Sequence, residues 1–175
     1  MIRACRPHDL LALVRLYQEC FAEPPWYEVF EEHDLLQEVQ AFLAWPDTVI
    51  LVAEEEGIII GGTIGFAVER KEEVVKAISS EWHGAFYLAE LFVTKDKRRT
   101  GVAKQLVRAR FEIAKQHGYT RAVVRTSVDQ HVIQHVYAHL GYAVIARQEV
   151  ISSKIIEDGA QEKSDQRIIL GGQML

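Results

Sequence analysis

Apolar residues recur at helical spacing in two early stretches. In RPHDLLALVRLYQECF they fall at Leu10, Leu13, Val14, Tyr17 and Phe21, and Pro7 suits a first turn. In EEHDLLQEVQAFLAW they fall at Leu35, Leu36, Val39, Phe42 and Leu43, with Pro46 and Asp47 ending the helix. The period then shortens. TVILVAEEEGIIIGGTIGFAVE holds two β-branched runs around Glu55, Glu56 and Gly57, which predicts a hairpin. Residues 69–82 are polar and read as a loop or a short helix. GAFYLAELFV is almost continuously apolar, as expected of a strand covered on both faces. A helix over 101–117 follows, stopped by Gly118. RAVVRTSV is a strand, QHVIQHVYAHL a helix with Gly141 just past its end, and YAVIARQEVISSKII a long strand. EDGAQEKSDQ is expected to be a loop, RIILGGQML a last strand and Met1–Ala4 a short first one.

The order β-α-α-β-β-β-α-β-α-β-β predicts an α/β (α+β) fold. Its central sheet is mixed but mostly antiparallel, with about seven strands, a parallel βαβ core and helices on both faces. The βαβ unit spans residues 84–128 and should be right-handed. Residues 1–175 read as one domain.

Composition narrows the classes. Apolar residues make up 49% and charged residues 26%, ordinary values for a domain with a core. Cys5 and Cys20 form no paired framework and read as reduced thiols. The start, MIRACRPHDL, lacks an apolar run with a cleavage site, and the longest apolar stretch is twelve residues, too short for a bilayer. A cytoplasmic protein with no membrane partner is expected. The net charge is -5, which argues against general nucleic-acid binding. Yet residues 95–110 hold seven Lys/Arg against one Asp, a local +6 that leaves -11 for the remainder.

That basic window surrounds Thr100, Gly101 and Ala103, at the start of a helix. A helix N-terminus leaves backbone N–H groups unpartnered and attracts anions. Small residues let a phosphate approach, and Thr100 is placed to cap the helix. The alternative is a turn shaped by Gly101 beside a solvated basic face. The segment lacks G-x-x-x-x-G-K-[ST] and G-x-G-x-x-G, so neither a P-loop nor a dinucleotide loop is present.

Arg98-x-x-Gly101-x-Ala103, between an apolar strand and a helix, resembles the [RQ]-x-x-G-x-[GA] signature of the GNAT superfamily of N-acetyltransferases. QHVIQHVYAHLGY resembles that family's second signature through Tyr137, Gly141 and Tyr142, with Gln130 where Asn is usual. The element order matches over nearly the whole chain. The resemblance implies the GNAT fold and acetyl-coenzyme A as cosubstrate. It implies coenzyme contacts from Leu91, Phe92, Val93, Arg98, Arg99, Thr100, Gly101, Val102, Ala103, Lys104 and Gln130. The pantetheine arm would add to the strand edge as an extra strand does, and the N–H of Val93 or Phe92 would hold the oxyanion. Lys97 is a further candidate for the phosphates.

Acetyl transfer to an amine needs a neutral amine, a stabilised oxyanion and a proton for the departing thiolate. A lysine-like amine has a pKa of ~10.4, so fewer than about one in a thousand is neutral at pH 7. Glu90 stands in an otherwise apolar strand, eight residues before Arg98, and is the candidate base. The alternative is a solvated or ion-paired carboxylate. Tyr137 is the general acid by resemblance, against a reading as a core tyrosine. His131, His135 and His139 share a helix face, but no carboxylate or thiol at matching spacing completes a metal site, so none is expected. Trp26, Tyr27 and Phe30 beside Glu23, Glu28, Glu31 and Glu32 form an aromatic, acidic patch suited to a cationic acceptor or to packing. The acceptor is an amine, small molecule or peptide. A non-catalytic acyl-coenzyme A sensor is the competing function. The resemblance also allows a homodimer through RIILGGQML.

Overall fold

In the computed structural model, which describes residues 1–24, 26–156 and 159–174, all the strands join one sheet. They are β1 (Ile2–Ala4), β2 (Val49–Glu55), β3 (Ile58–Ala67), β4 (Phe86–Val93), β5 (Arg121–Ser127), β6 (Ala143–Ile156) and β7 (Gly159–Gln173), in the order β1-β2-β3-β4-β5-β7-β6. Only β4 and β5 run parallel. The helices are α1 (Leu10–Ala22), α2 (Glu32–Leu43), the single turn α3 (Glu72–Val75), α4 (Val102–Gln116) and α5 (His131–His139). The polar segment 69–82 thus becomes α3 and short 3₁₀ turns rather than one helix.

Each sheet face has its own core. Leu13, Val14 and Tyr17 of α1 and Leu35 and Val39 of α2 pack on Val52, Ile64, Phe66 and Phe92. On the other face Leu106 and Ala114 of α4 and Tyr137 of α5 pack on Leu51, Phe86, Leu88 and Val124. Helices therefore cover both faces, as the apolar run in β4 requires.

One expectation fails. Of the loop expected over 157–166, residues 159–166 are strand, in register with β6 through Ile151↔Ser164, Ser152↔Lys163 and Lys154↔Gln161. Glu157 and Asp158 lie outside the described residues. The polarity is that of a solvated two-stranded arm, since β7 meets β5 only from Arg167 onward. Hairpin pairing satisfies its backbone, and strand preference depends on such context more than on composition.

Two features of β4 shape the site. First, Ile64 pairs with Glu90 but Gly65 with Leu88, so Ala89 is a bulge residue. Before it, Phe86 and Leu88 face α4 and α5, and Tyr87 and Ala89 face α1. After it, Leu91 and Val93 face α4 and α5 and Phe92 faces α1. The bulge reverses the alternation and turns Glu90 toward α1 instead of burying it beside Leu88. Second, β4 pairs with β5 only at Phe86↔Ala122 and Tyr87↔Val123. Beyond Tyr87 the strands part, although β4 stays paired with β3 and β5 with β7.

Candidate active site

The parting strands enclose a cleft of ≈ 700 Å³ lined by Leu88–Val93 of β4, Val124–Thr126 of β5, Tyr17, Gln130, Ile133 and Tyr137. A second cavity of ≈ 990 Å³ adjoins it between α4 and α5, with Leu91, Val93, Arg98, Ala103 and Ile133 shared by both. Its wall is apolar at Val107, Phe111 and Leu140 and basic at Lys97, Arg99, Lys104 and Arg108.

The turn after β4 delivers α4 to the mouth of this second cavity. Gly101 is the N-cap residue, with φ +93°, and a Cβ there would meet nothing within 4 Å. Glycine takes this left-handed backbone without steric cost, and the space before the helix N-terminus stays open. Val102, Ala103 and Lys104 follow in the first turn. Thr100 does not cap: Gly101 holds the N-cap position, and the Thr100 hydroxyl donates to the Lys97 carbonyl at 2.6 Å. Arg98 donates through Nε to the Val93 carbonyl at 3.0 Å and pairs with Glu23 at 2.7 Å, tying the turn to the end of α1. Lys97 is ion-paired with Glu55.

The backbone of β4 offers donors to the cleft. Thr94 donates its N–H to the Ile60 carbonyl. By alternation the peptide of Phe92 faces β3, where it is in register with Gly62, and those of Leu91 and Val93 face the gap. Of the two oxyanion donors expected, only Val93 is therefore turned to the open side, joined by Leu91. The Phe92 side chain is buried in the α1 core.

Glu90 lies part-buried on the α1 side of the cleft. Burial, reinforced by the charges of Glu28 and Glu38, pushes its carboxyl up to about 7, against opposing pulls from Lys71 and the Tyr17 hydroxyl. Tyr17 itself is buried, which together with Glu90 pushes its hydroxyl well above the usual tyrosine range, so it serves Glu90 as a donor. Tyr137 reaches the cleft from α5, 5% exposed, with its ring 5.2 Å from that of Tyr142. Gln130 forms the N-cap position of α5, and its buried Nε2 has no hydrogen-bond partner. The structure thus brings Glu90, Leu91, Val93, Gln130 and Tyr137 to one cleft and Gly101, Ala103 and Lys104 to its neighbour, while Val102 packs against the α4 core and Thr100 lines neither.

The aromatic, acidic patch is largely neutralised. Glu23 pairs with Arg98, Glu28 with Arg167 and Glu32 with Arg15, and Arg167 lies 5.0 Å from the Trp26 ring centre. His135 and His139 meet edge to face, ring centres 4.1 Å apart, on the exposed face of α5. Among the described residues no three His, Cys, Asp or Glu are grouped to hold a metal, and no helix is long and apolar enough to cross a membrane.

Sequence reading missed Arg110, which lines the cleft at 1% exposure. The signal was present: Leu106, Arg110 and Ala114 recur every four residues on the buried stripe of α4, and an arginine interrupts it.

The described residues superpose on several solved structures. One is the ribosomal-protein-alanine N-acetyltransferase of Brucella melitensis, with a TM-score of 0.75 and 14% identity over 99% of each chain. An N-acetyltransferase of Staphylococcus aureus Mu50 gives 0.73 and 14% over 100% of this chain and 98% of that one. The Salmonella typhimurium protein yncA, solved with its cofactor acetyl-CoA, gives 0.72 and 14% over 100% and 94%. At such identities the likeness shows the fold. By sequence, no curated protein is similar to the chain. The profile of the acetyltransferase (GNAT) family matches residues 10–142, a span that holds the strand pair, the phosphate-type turn and both candidate proton carriers, and the chain belongs to that family.

Proposed function

We propose that the protein transfers an acetyl group from acetyl-coenzyme A to a primary amine by direct attack, with Glu90 as base and Tyr137 as acid. The observation that carries this reading is that Glu90 and Tyr137 reach one cleft from opposite faces of the sheet, where β4 and β5 part.

The chain's residues fit the coenzyme. The open N-terminus of α4 with Lys104 and Arg99 suits phosphates, Gln130 Nε2 is a buried donor without a partner, and β4 has a free edge. When bound, acetyl-coenzyme A supplies the activated thioester. The N–H groups of Leu91 and Val93 supply an oxyanion with fixed donors. Glu90, at about 7, is half ionised near neutrality and matched to taking a proton from an amine. Tyr137 holds the proton for the departing sulfur. The acceptor enters from the α1 side, past Trp26 and Phe30.

The test is thiol release with a panel of amines, alongside calorimetry of acetyl-coenzyme A on Gly101→Glu. Open space at Gly101 lets the variant fold, at roughly 1–2 kcal/mol for a side chain in the left-handed region. Coenzyme affinity should be lost. Unchanged affinity would remove the phosphate assignment, and binding without turnover on any amine would make the protein a sensor.

A further inference from the structure

Arg110 is a fully buried cation without an anionic partner. It sits on α4 at 1% exposure, and none of the ion pairs among the described residues includes it. Its Nη1 donates to the carbonyls of Glu90 at 2.9 Å and Ile64 at 3.1 Å, the register pair beside the β4 bulge. Its Nε and Nη2 are buried with no hydrogen-bond partner. Burying a charge in this state is costly unless something compensates it. Tyr137 of α5 lines the same cleft as Arg110, and the Tyr142 ring lies 5.2 Å from the Tyr137 ring, while the Glu90 side chain is turned to the α1 face and only its carbonyl meets Arg110. Tyr142 rests its ring against Gly172 of β7, and its own hydroxyl is buried without a partner. Burial alone draws the Arg110 pKa below its usual range, and the Tyr137 oxygen is the foremost neighbour opposing that.

A positive charge beside two neutral phenols gains most when one of them becomes negative. We infer that Arg110 is a positioning residue for acetyl transfer, stabilising the charge left on the Tyr137 oxygen when its hydroxyl gives a proton to the departing sulfur. This rests on the acid role proposed for Tyr137. In that step the amine nitrogen bonds to the acetyl carbon, and the carbon–sulfur bond breaks with its electron pair on sulfur. The Tyr137 proton passes to that sulfur, leaving coenzyme A as the thiol, and the amine proton leaves through Glu90. Tyr137 stays a phenolate until a proton returns from solvent, and Arg110 faces it through that interval. The same guanidinium grips the Glu90 carbonyl through Nη1, so one side chain spans the strand bearing the base and the helix bearing the acid.

The test is a double-mutant cycle in the full chain, with kcat, KM for acetyl-coenzyme A and thermal midpoint measured for each variant. Arg110→Met should lower kcat about 10–100-fold, within the general-acid range, with KM changed less than about threefold. Arg110→Lys keeps the charge and should recover at least half of that loss on a logarithmic scale, and it serves where the Met variant fails to fold. In a Tyr137→Phe background neither substitution should slow turnover further. An equal slowing by Arg110→Met with and without the Tyr137 hydroxyl would overturn the inference, and so would a Lys variant no faster than the Met one. A Tyr137→Phe enzyme as fast as wild type would instead remove the acid role itself, and the inference with it.

Discussion

The cleft has two walls, and they treat buried charge in opposite ways. On the arm side, Arg167 pairs with Glu28 at 2.8 Å and Asp165 at 2.9 Å, and Lys154 meets Asp165 at 3.3 Å. These side chains are 11–15% exposed, and each cation has a carboxylate beside it. Lys154 also donates to the Trp26 carbonyl, and Glu28 bridges to Lys154 through the backbone, so the network staples the segment after α1 to the β6–β7 arm. On the α4–α5 side Arg110 has no carboxylate beside it among the described residues, and Arg110, Gln130 and Tyr142 bury polar atoms with no partner. On the arm side Arg167 Nε and Ser152 Oγ are unpartnered, but every cation is ion-paired. Paired charge fixes the shape of a wall. Unpaired charge and donors remain available to whatever enters, and on the proposed reading this puts the acid on the second wall and the acceptor's fit on the first.

The sharpest break of this comparison lies between the walls, at Glu90. Glu90→Gln should lower kcat/KM at pH 7 by roughly 10²–10⁴, the usual worth of a positioned base. Steady-state rates across pH should show the loss shrinking at high pH, where more of the amine is already neutral. The wild-type rate should climb through pH about 7 as Glu90 ionises. An undiminished rate at neutrality would assign the proton to another group or to water.

On the unpaired wall, Tyr137→Phe should lower kcat by about 10–10³ while calorimetry finds coenzyme affinity near wild type. A coenzyme thiolate has a pKa near ~8.5, so protonation helps without being indispensable. Equal rates, with chemistry limiting, would leave Tyr137 as packing.

On the paired wall the outcome should invert. Arg167→Met removes the cation between Glu28 and Asp165, and denaturant melts should show a loss of about 3–5 kcal/mol, since breaking a buried pair strands its partners. The kcat of the folded variant on a small amine should stay within about threefold. A large loss of kcat at full stability would erase the distinction between the walls.

The smallest effect is a gain. The folded protein holds Glu90 protonated up to about 7, whereas an unfolded chain releases that proton near ~4.3. Between those values the native state binds more protons, so this group's contribution to stability falls as pH rises. Glu90→Gln should therefore be more stable than wild type by about 2–3 kcal/mol at pH 8, the difference shrinking to about 1 kcal/mol at pH 5 and vanishing only below ~4.3. Thermal melts at the two pH values would show it, and equal midpoints at pH 8 would mean the carboxyl is not strained by its surroundings.

Sequence period placed almost every element, because the apolar stripes of α1, α2 and α4 and the runs of β2–β5 follow from burial itself. It failed at 159–166, where hairpin pairing holds polar residues in a strand. The Gly101 turn was legible because glycine and small residues leave a chemical trace. The bulge at Ala89 was not, since alanine carries no sign of it, and without the bulge the face presented by Glu90 is undetermined. Thr100 was misread because the helix begins one residue later, with Gly101 at its N-cap, and the Thr100 hydroxyl turns back to Lys97. Arg110 was hidden among basic neighbours, and only its place on the helical stripe separates it from them.

The parted strands also set a rhythm of amide protection. Phe92 faces the β3 ladder, while Leu91 and Val93, one residue to either side, turn their N–H groups to the unpaired edge. In deuterated solvent β4 should exchange every second amide quickly along this stretch, within a strand that is otherwise stably folded. A ligand arm that occupies the edge supplies the missing acceptors, and binding slows exchange at these amides by a factor of up to about 1 + [L]/Kd, a protection of RT ln(1 + [L]/Kd). Two amides in one strand thus report occupancy directly, even where no acceptor is known and no turnover can be followed.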